Sequence, residues 1–133
     1  MITLEIVTPD RKVLSTDVDE VVLPSMNGSM GVLPGHAPLL CQLDVGEMSY
    51  RKGDQRKYLA VTGGFAEILR EKVSILARTS EAAEDIDLER AQKAKQTAEE
   101  GVKHGANPDA FAQAEVALKR ALCRIEVKTR SGN

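Results

Sequence analysis

Short apolar runs separated by turn residues fill roughly the first 80 positions, after which the apolar spacing becomes helical. Ile2, Leu4 and Ile6 alternate with Thr3 and Glu5, which gives a strand one buried and one wet face. Pro9-Asp10 and Asn27-Gly28 are turn dipeptides, Pro for its fixed φ, Asn and Gly for their tolerance of positive φ. Gly53-Asp54, between Met48-Ser49-Tyr50 and Tyr58-Leu59-Ala60-Val61, predicts a hairpin. Gly63-Gly64 breaks the pattern before Phe65-Ala66-Glu67-Ile68-Leu69, and Val73-Ser74-Ile75-Leu76-Ala77 closes the series. Strands this short and numerous predict a β-sandwich or flattened barrel over residues 1–80.

From Glu81 to the end, residues 81–133, the pattern predicts two helices. Leu88, Ala91, Ala98 and Val102 share one face, interrupted by Lys95, whose aliphatic stem can lie along apolar surface. Asp85 or Asp87 can cap the start, and Gly105 ends the run. Asn107-Pro108 restarts a helix with an Asn cap and Pro at the first position. Phe111, Ala114, Leu118, Ala121, Leu122 and Ile125 then form one stripe, so an antiparallel two-helix hairpin is expected. Its contact face is rich in Ala, and a methyl contributes about 0.8 kcal/mol on burial where a Leu contributes roughly 1.5–3. Such a hairpin is marginal alone and calls for docking on the sandwich or on another protein.

A chain of 133 residues has room for one modest core plus an appendage. With a net charge of −2 and 3% aromatics, neither duplex nor single-stranded nucleic acid is a fitting partner. No run of about 18 apolar residues occurs, so membrane association is expected only through a partner. The start runs straight into strand-like alternation, without a signal-peptide pattern. Cys41 and Cys123 lie far apart and outside any CxxC pattern, and are read as reduced thiols. Charge is uneven: residues 81–103 carry seven acids against four bases, and residues 116–133 five bases against Glu126. Helix-dipole complementation accounts for part of this, and a basic tip seeking an acidic surface is the functional alternative.

Sequence patterns for catalysis are missing: there is no GxxxxGK[ST] loop, GxSxG elbow or HExxH pair. His36 and Cys41 could form a thiol–imidazole pair, but Leu39-Leu40-Cys41 is an apolar run that favours a structural thiol. Asp17, Asp19 and Glu20 read as a solvated strand edge ahead of a metal site. Arg120 and Arg124 are four apart and project together, a pairing that suits phosphate oxygens as well as a solvated face.

The stretch Gly28-Ser29-Met30-Gly31-Val32-Leu33-Pro34-Gly35-His36-Ala37-Pro38-Leu39-Leu40 resembles the signature of ε subunits of F-type ATP synthases. Val7-Thr8-Pro9-Asp10, Thr62-Gly63-Gly64-Phe65-Ala66-Glu67 and Glu84-Asp85-Ile86-Asp87-Leu88-Glu89-Arg90-Ala91 agree in order and spacing, so the resemblance covers nearly the whole chain. It implies a sandwich of about ten strands followed by the helical hairpin. It also implies a sandwich that binds the γ subunit and rests on the membrane c-ring through Gly28, Ser29, Met30 and His36. The family commonly has an acid where this chain has Ser29. It implies helices that either fold on the sandwich or extend toward the α and β subunits, where they oppose ATP hydrolysis. Lys119, Arg120, Arg124 and Lys128 would then meet an acidic segment of β. Some bacterial members bind ATP as a regulatory ligand through an [IL]DxxRA motif, fitted here by Ile86, Asp87, Arg90 and Ala91, with Glu81, Arg120 and Arg124 as further ligands.

The expected function is thus a non-catalytic central-stalk subunit that couples proton-driven rotation to ATP synthesis and restrains hydrolysis. No metal and no cofactor are expected. The expected place is peripheral, on the cytoplasmic face of a bacterial plasma membrane, with the thylakoid membrane as the alternative. A stand-alone sandwich binding a small ligand is the competing reading, and a hydrolase using His36 and Cys41 a third.

Overall fold

Strand β1 (Ile2–Val7) shows the alternation its sequence carries, with Ile2, Leu4 and Ile6 buried and the residues between them half-buried. A turn at Pro9-Asp10, closed by reciprocal backbone bonds between Thr8 and Arg11, returns the chain as β2 (Lys12–Val18). Strands β3 (Glu20–Ser25) and β4 (Gly28–Val32) form a second hairpin. Its two turn residues are Met26 and Asn27, while Gly28, at φ +117°, opens β4. The Ser25 hydroxyl donates to the Gly28 carbonyl at 2.6 Å and accepts from the Asn27 amide at 3.3 Å.

The computed structural model describes residues 1–130. Strands β5 (Leu39–Lys52) and β6 (Gln55–Ile68) make one long hairpin across Gly53-Asp54, with Gly53 at φ +62° as the first residue of a two-residue turn demands. Strand β7 (Lys72–Ala77) pairs antiparallel with β6 and parallel with β1. A three-residue strand, β8 (Ser80–Ala82), pairs with Leu59–Val61 of β6.

The hydrogen-bonded order is β2-β1-β7-β6-β5-β3-β4, with β8 also on β6. Because β5 and β6 each run for 14 residues, both take part in two layers. The turn-proximal half of β6 neighbours β8 and its distal half β7, while β5 neighbours β3 from Arg51 to Leu43. Between the layers lies one core, which includes Leu4, Ile6, Val21, Leu23, Met48, Val61, Ile68 and Ile75.

Gly63-Gly64 does not end a strand, as its sequence suggests, but bends β6 from one layer into the other. Gly64 sits at φ +125°, and a Cβ there would lie 2.0 Å from the Leu76 carbonyl oxygen. The described residues therefore hold eight strands where about ten are expected, since each long strand is continuous through its bend.

The chain divides between Ala82 and Ala83. Glu81, expected to begin the helical part, belongs to β8, where it pairs with Ala60. The second unit opens with a 3-10 turn at Ala83–Asp85, then α1 (Leu88–His104) and α2 (Pro108–Arg130). Asp87 caps α1, its Oδ1 accepting from the Arg90 amide at 3.1 Å, and Asn107 caps α2 through the Ala110 amide at 2.8 Å. Gly105 ends α1, but at φ −56° rather than left-handed. A Cβ there would stand 3.0 Å from the Gly101 carbonyl oxygen and 3.2 Å from the Phe111 Cα, so close approach explains the glycine.

On α1, Ala91 and Ala98 are buried and Lys95 half-buried, in line with the stripe. On α2 the stripe needs correction: Phe111 and Leu122 are exposed, whereas Cys123 and Val127 join Ala121 as buried residues. At about 100° per residue, Cys123 and Val127 lie on a second line, well away from Ala114, Leu118, Ala121 and Ile125. The C-terminal half of α2 is covered on two sides, which a single-stripe reading cannot anticipate.

Candidate functional site

Two regions of the β unit hold the expected contact residues and an apolar face whose exposure the sequence does not show. In the first, Gly28 and Ser29 are exposed at the start of the terminal strand β4, while Met30 packs partly against the core. His36 is half-buried in the loop that follows, its Nδ1 2.7 Å from the Ala37 carbonyl oxygen. That loop is pinned by the Gly35 amide, which donates to the Arg70 carbonyl at 2.8 Å, and it presents Leu33 to solvent.

The second region is the outer side of the layer made by β7 and the distal halves of β5 and β6. Phe65 stands directly across from Leu76, and Gln42 across from Phe65, so the three share one face. Leu40, two residues from Gln42, is on that face as well. Leu40 is 70% exposed, Leu76 58% and Phe65 52%. A cluster of large apolar side chains open to water on a sheet face marks an interaction surface. Sequence reasoning passed over it because Phe65-Ala66-Glu67-Ile68-Leu69 supplies apolar residues to both faces of one strand. That signal reads as a strand covered on both sides.

In the helical unit, register follows from close contacts. A Cβ on Gly101 would meet the Ala114 Cβ at 2.8 Å, and Gly105 abuts Phe111. Counting back along α1 and forward along α2 sets Lys95 level with Arg120, Ala91 with Arg124, and Asp87 with Lys128. Asp87, Arg90, Arg124 and Lys128 thus gather toward one end of the hairpin. Ile86 and Ala91 are buried, Asp87 and Arg90 exposed, and Arg120 and Arg124 half-buried. Lys119 is exposed and a quarter-turn or so from Arg120, so the four basic residues do not make a single line. Lys128 is half-buried, with its Nζ 3.2 Å from the Ala83 carbonyl oxygen. Glu81 is half-buried on β8, in the other unit.

The competing chemistry loses its support. Burial raises the Cys41 thiol above its ordinary pKa, opposite to what a thiolate nucleophile needs, and Cys41 packs partly against the core. The acidic trio is committed to the fold. Asp17 accepts from the Thr3 hydroxyl at 3.0 Å, Asp19 accepts from the Gly53 amide at 2.8 Å, and Glu20 pairs with Arg56. Among the described residues no three His, Cys, Asp or Glu side chains gather as a metal site. No described helix is long and apolar enough to cross a membrane.

Comparison with known proteins bears on both units. Residues 1–83 match the family described as ATP synthase, Delta/Epsilon chain, beta-sandwich domain. Residues 84–129 match ATP synthase, Delta/Epsilon chain, long alpha-helix domain. The ATP synthase epsilon chain of Geotalea daltonii is 46% identical over 131 residues, covering 97% of this chain and 94% of that protein. That of Nitratidesulfovibrio vulgaris is 46% identical over 125 residues, covering 94% and 93%. A chain of the Euglena gracilis mitochondrial ATP synthase, solved with OSCP, F1 and c-ring, superposes with TM-score 0.83 at 25% identity, over 99% of this chain and 81% of that one. A central stalk and c-ring structure from Tetrahymena thermophila, at TM-score 0.66 and 12% identity over 96% of each chain, repeats the fold. With both units matched end to end, the chain belongs to the ATP synthase delta/epsilon family, as an epsilon-type subunit of the central stalk.

Proposed function

We propose that this chain is a non-catalytic subunit that seats its β unit on the γ subunit and the c-ring and restrains ATP hydrolysis through its helices. The observation that carries this is the open apolar face of Leu40, Phe65 and Leu76, assigned here to γ. The Gly28–Ser29 edge and the loop through His36 are assigned to the c-ring. Proton-driven rotation would then reach the catalytic α and β subunits through a stalk that includes this chain. Membrane attachment would be peripheral, through the c-ring, on the cytoplasmic face, in keeping with the bacterial source of its relatives.

Restraint of hydrolysis is assigned to the hairpin, with Arg120 and Arg124, and Lys119 on its own side, facing acidic groups of a catalytic subunit. ATP is assigned as a regulatory ligand of the hairpin. The gathering of Asp87, Arg90 and Arg124 at one end supports this, since forked guanidiniums suit phosphate oxygens. Bound ATP would favour the folded hairpin by about 2.7 kcal/mol at a hundredfold excess over Kd.

Truncation is the direct test. The cut belongs after Ala82, because β8 completes the pairing of β6. The shortened chain should rebind an ATP synthase stripped of this subunit, and the reconstituted enzyme should hydrolyse ATP at least as fast as one carrying the full chain. Slower hydrolysis would remove the inhibitory role, and failure of a folded β unit to rebind would remove the γ seat.

A further inference from the structure

We propose that Lys128 is a latch that closes the hairpin by tying the last turns of α2 to the turn that begins the helical unit. Its ammonium donates to the Ala83 carbonyl oxygen at 3.2 Å, across 45 positions of chain. The same oxygen also accepts the Ile86 amide at 3.3 Å, which closes the 3-10 turn. Ala83 is buried, so its oxygen would lose a charge-assisted partner if Lys128 moved away.

The apolar residues next to this bond are buried. Val127 is fully buried, and Ile86 and Cys123 nearly so. The opposite end, from Lys103 to Asp109, is exposed throughout. The hairpin is thus polarised, loose at the α1–α2 connection and fastened where its two chain ends meet. Opening that starts at the connection stops at Lys128 unless the latch releases. This holds for the isolated chain and does not depend on the assignment of γ, the c-ring or ATP.

Cys123, one turn before Val127, is a built-in reporter, because its buried thiol reacts with an aromatic disulfide only after this part of α2 is uncovered. With Cys41→Ala as background, labelling of Cys123 is followed in the full chain and in three further variants. Lys128→Met keeps the aliphatic stem and removes the donor, Lys128→Arg keeps a cation, and Lys103→Met removes an exposed charge at the loose end. Loss of a charged hydrogen bond to a buried acceptor predicts labelling about tenfold faster in Lys128→Met. Lys128→Arg should return it most of the way, and Lys103→Met should leave it unchanged. Equal rates in Lys128→Met and Lys103→Met overturn the latch. Amide exchange on the same variants separates local opening from a general loss of fold. The latch requires faster exchange over residues 120–128 with the β strands unchanged. Strands that exchange faster as well would make Lys128 a support of the whole fold and overturn the proposal.

Discussion

Replacing Phe65 and Leu76 by Ala should weaken docking of the β unit on its partner while leaving the unit itself folded. The two side chains face each other across β6 and β7, and each keeps more than half of its surface in water. Complete burial of a large apolar side chain contributes roughly 1.5–3 kcal/mol, so covering the open half contributes about 1–1.5 kcal/mol at each position. Together that is about 2–3 kcal/mol, or a Kd some 30- to 150-fold weaker. The internal core lies on the other side of both strands, where Ala66, Ile68 and Ile75 are fully buried, and it is untouched by either change. Unfolding midpoints should therefore move little, as for most surface substitutions. Val116→Ala serves as the control, since Val116 is also exposed but sits on α2, in the other unit. The assay is rebinding to an ATP synthase stripped of this subunit, with affinity read from a titration. Double-variant affinity within threefold of the parent, with the fold intact, would refute the assignment of this face to γ.

Three further outcomes are expected. Gly64→Ala should destabilise the β unit by well over the roughly 1–2 kcal/mol that a non-Gly residue pays for a left-handed backbone, because its Cβ also meets the Leu76 carbonyl. Gly28→Ala, with positive φ and open space around it, should show only the backbone part, and equal denaturant midpoints for the two would disprove the close approach. Replacing Lys119, Arg120 and Arg124 by Ala should relieve inhibition of hydrolysis, and added salt should do so in part, since exposed charges are screened over about 8–10 Å. Inhibition indifferent to both would leave a block by shape alone. Calorimetric titration of the isolated chain should show ATP binding without turnover, weakened in Arg90→Ala and Arg124→Ala. An unresponsive parent chain at millimolar ATP would end the ligand assignment and leave the stalk role standing.

Features set by neighbours in sequence were legible in advance. The alternation of β1, the Gly53-Asp54 turn and the Asn107-Pro108 helix start each depend on a few adjacent residues, and each is found as expected. Features set by a distant strand or helix were not. Gly63-Gly64 reads locally as a breaker, yet its use is fixed by the Leu76 backbone passing within contact distance. Glu81 looks like the first residue of an acidic helix, yet three residues there find unpaired backbone on β6 and become a strand. Phe65 and Leu76 sit in apolar runs, and sequence cannot tell a face packed on its own protein from a face kept for another.

The same distinction decides how much weight the Ile86–Ala91 motif can bear as a ligand site. Ile86 and Ala91 are buried, so packing alone explains them, and Asp87 caps α1. Three of its four matched positions would be held in place in a hairpin that bound nothing. Asp87→Ala would remove about 1 kcal/mol of capping and blur any loss of nucleotide affinity with a loss of helix. Arg90 is different: only its backbone amide serves the cap, and its side chain is exposed at the end where Arg124 comes level with Ala91. A fall in ATP affinity on Arg90→Ala, with helix content unchanged, therefore speaks for a ligand, whereas the same fall on Asp87→Ala does not.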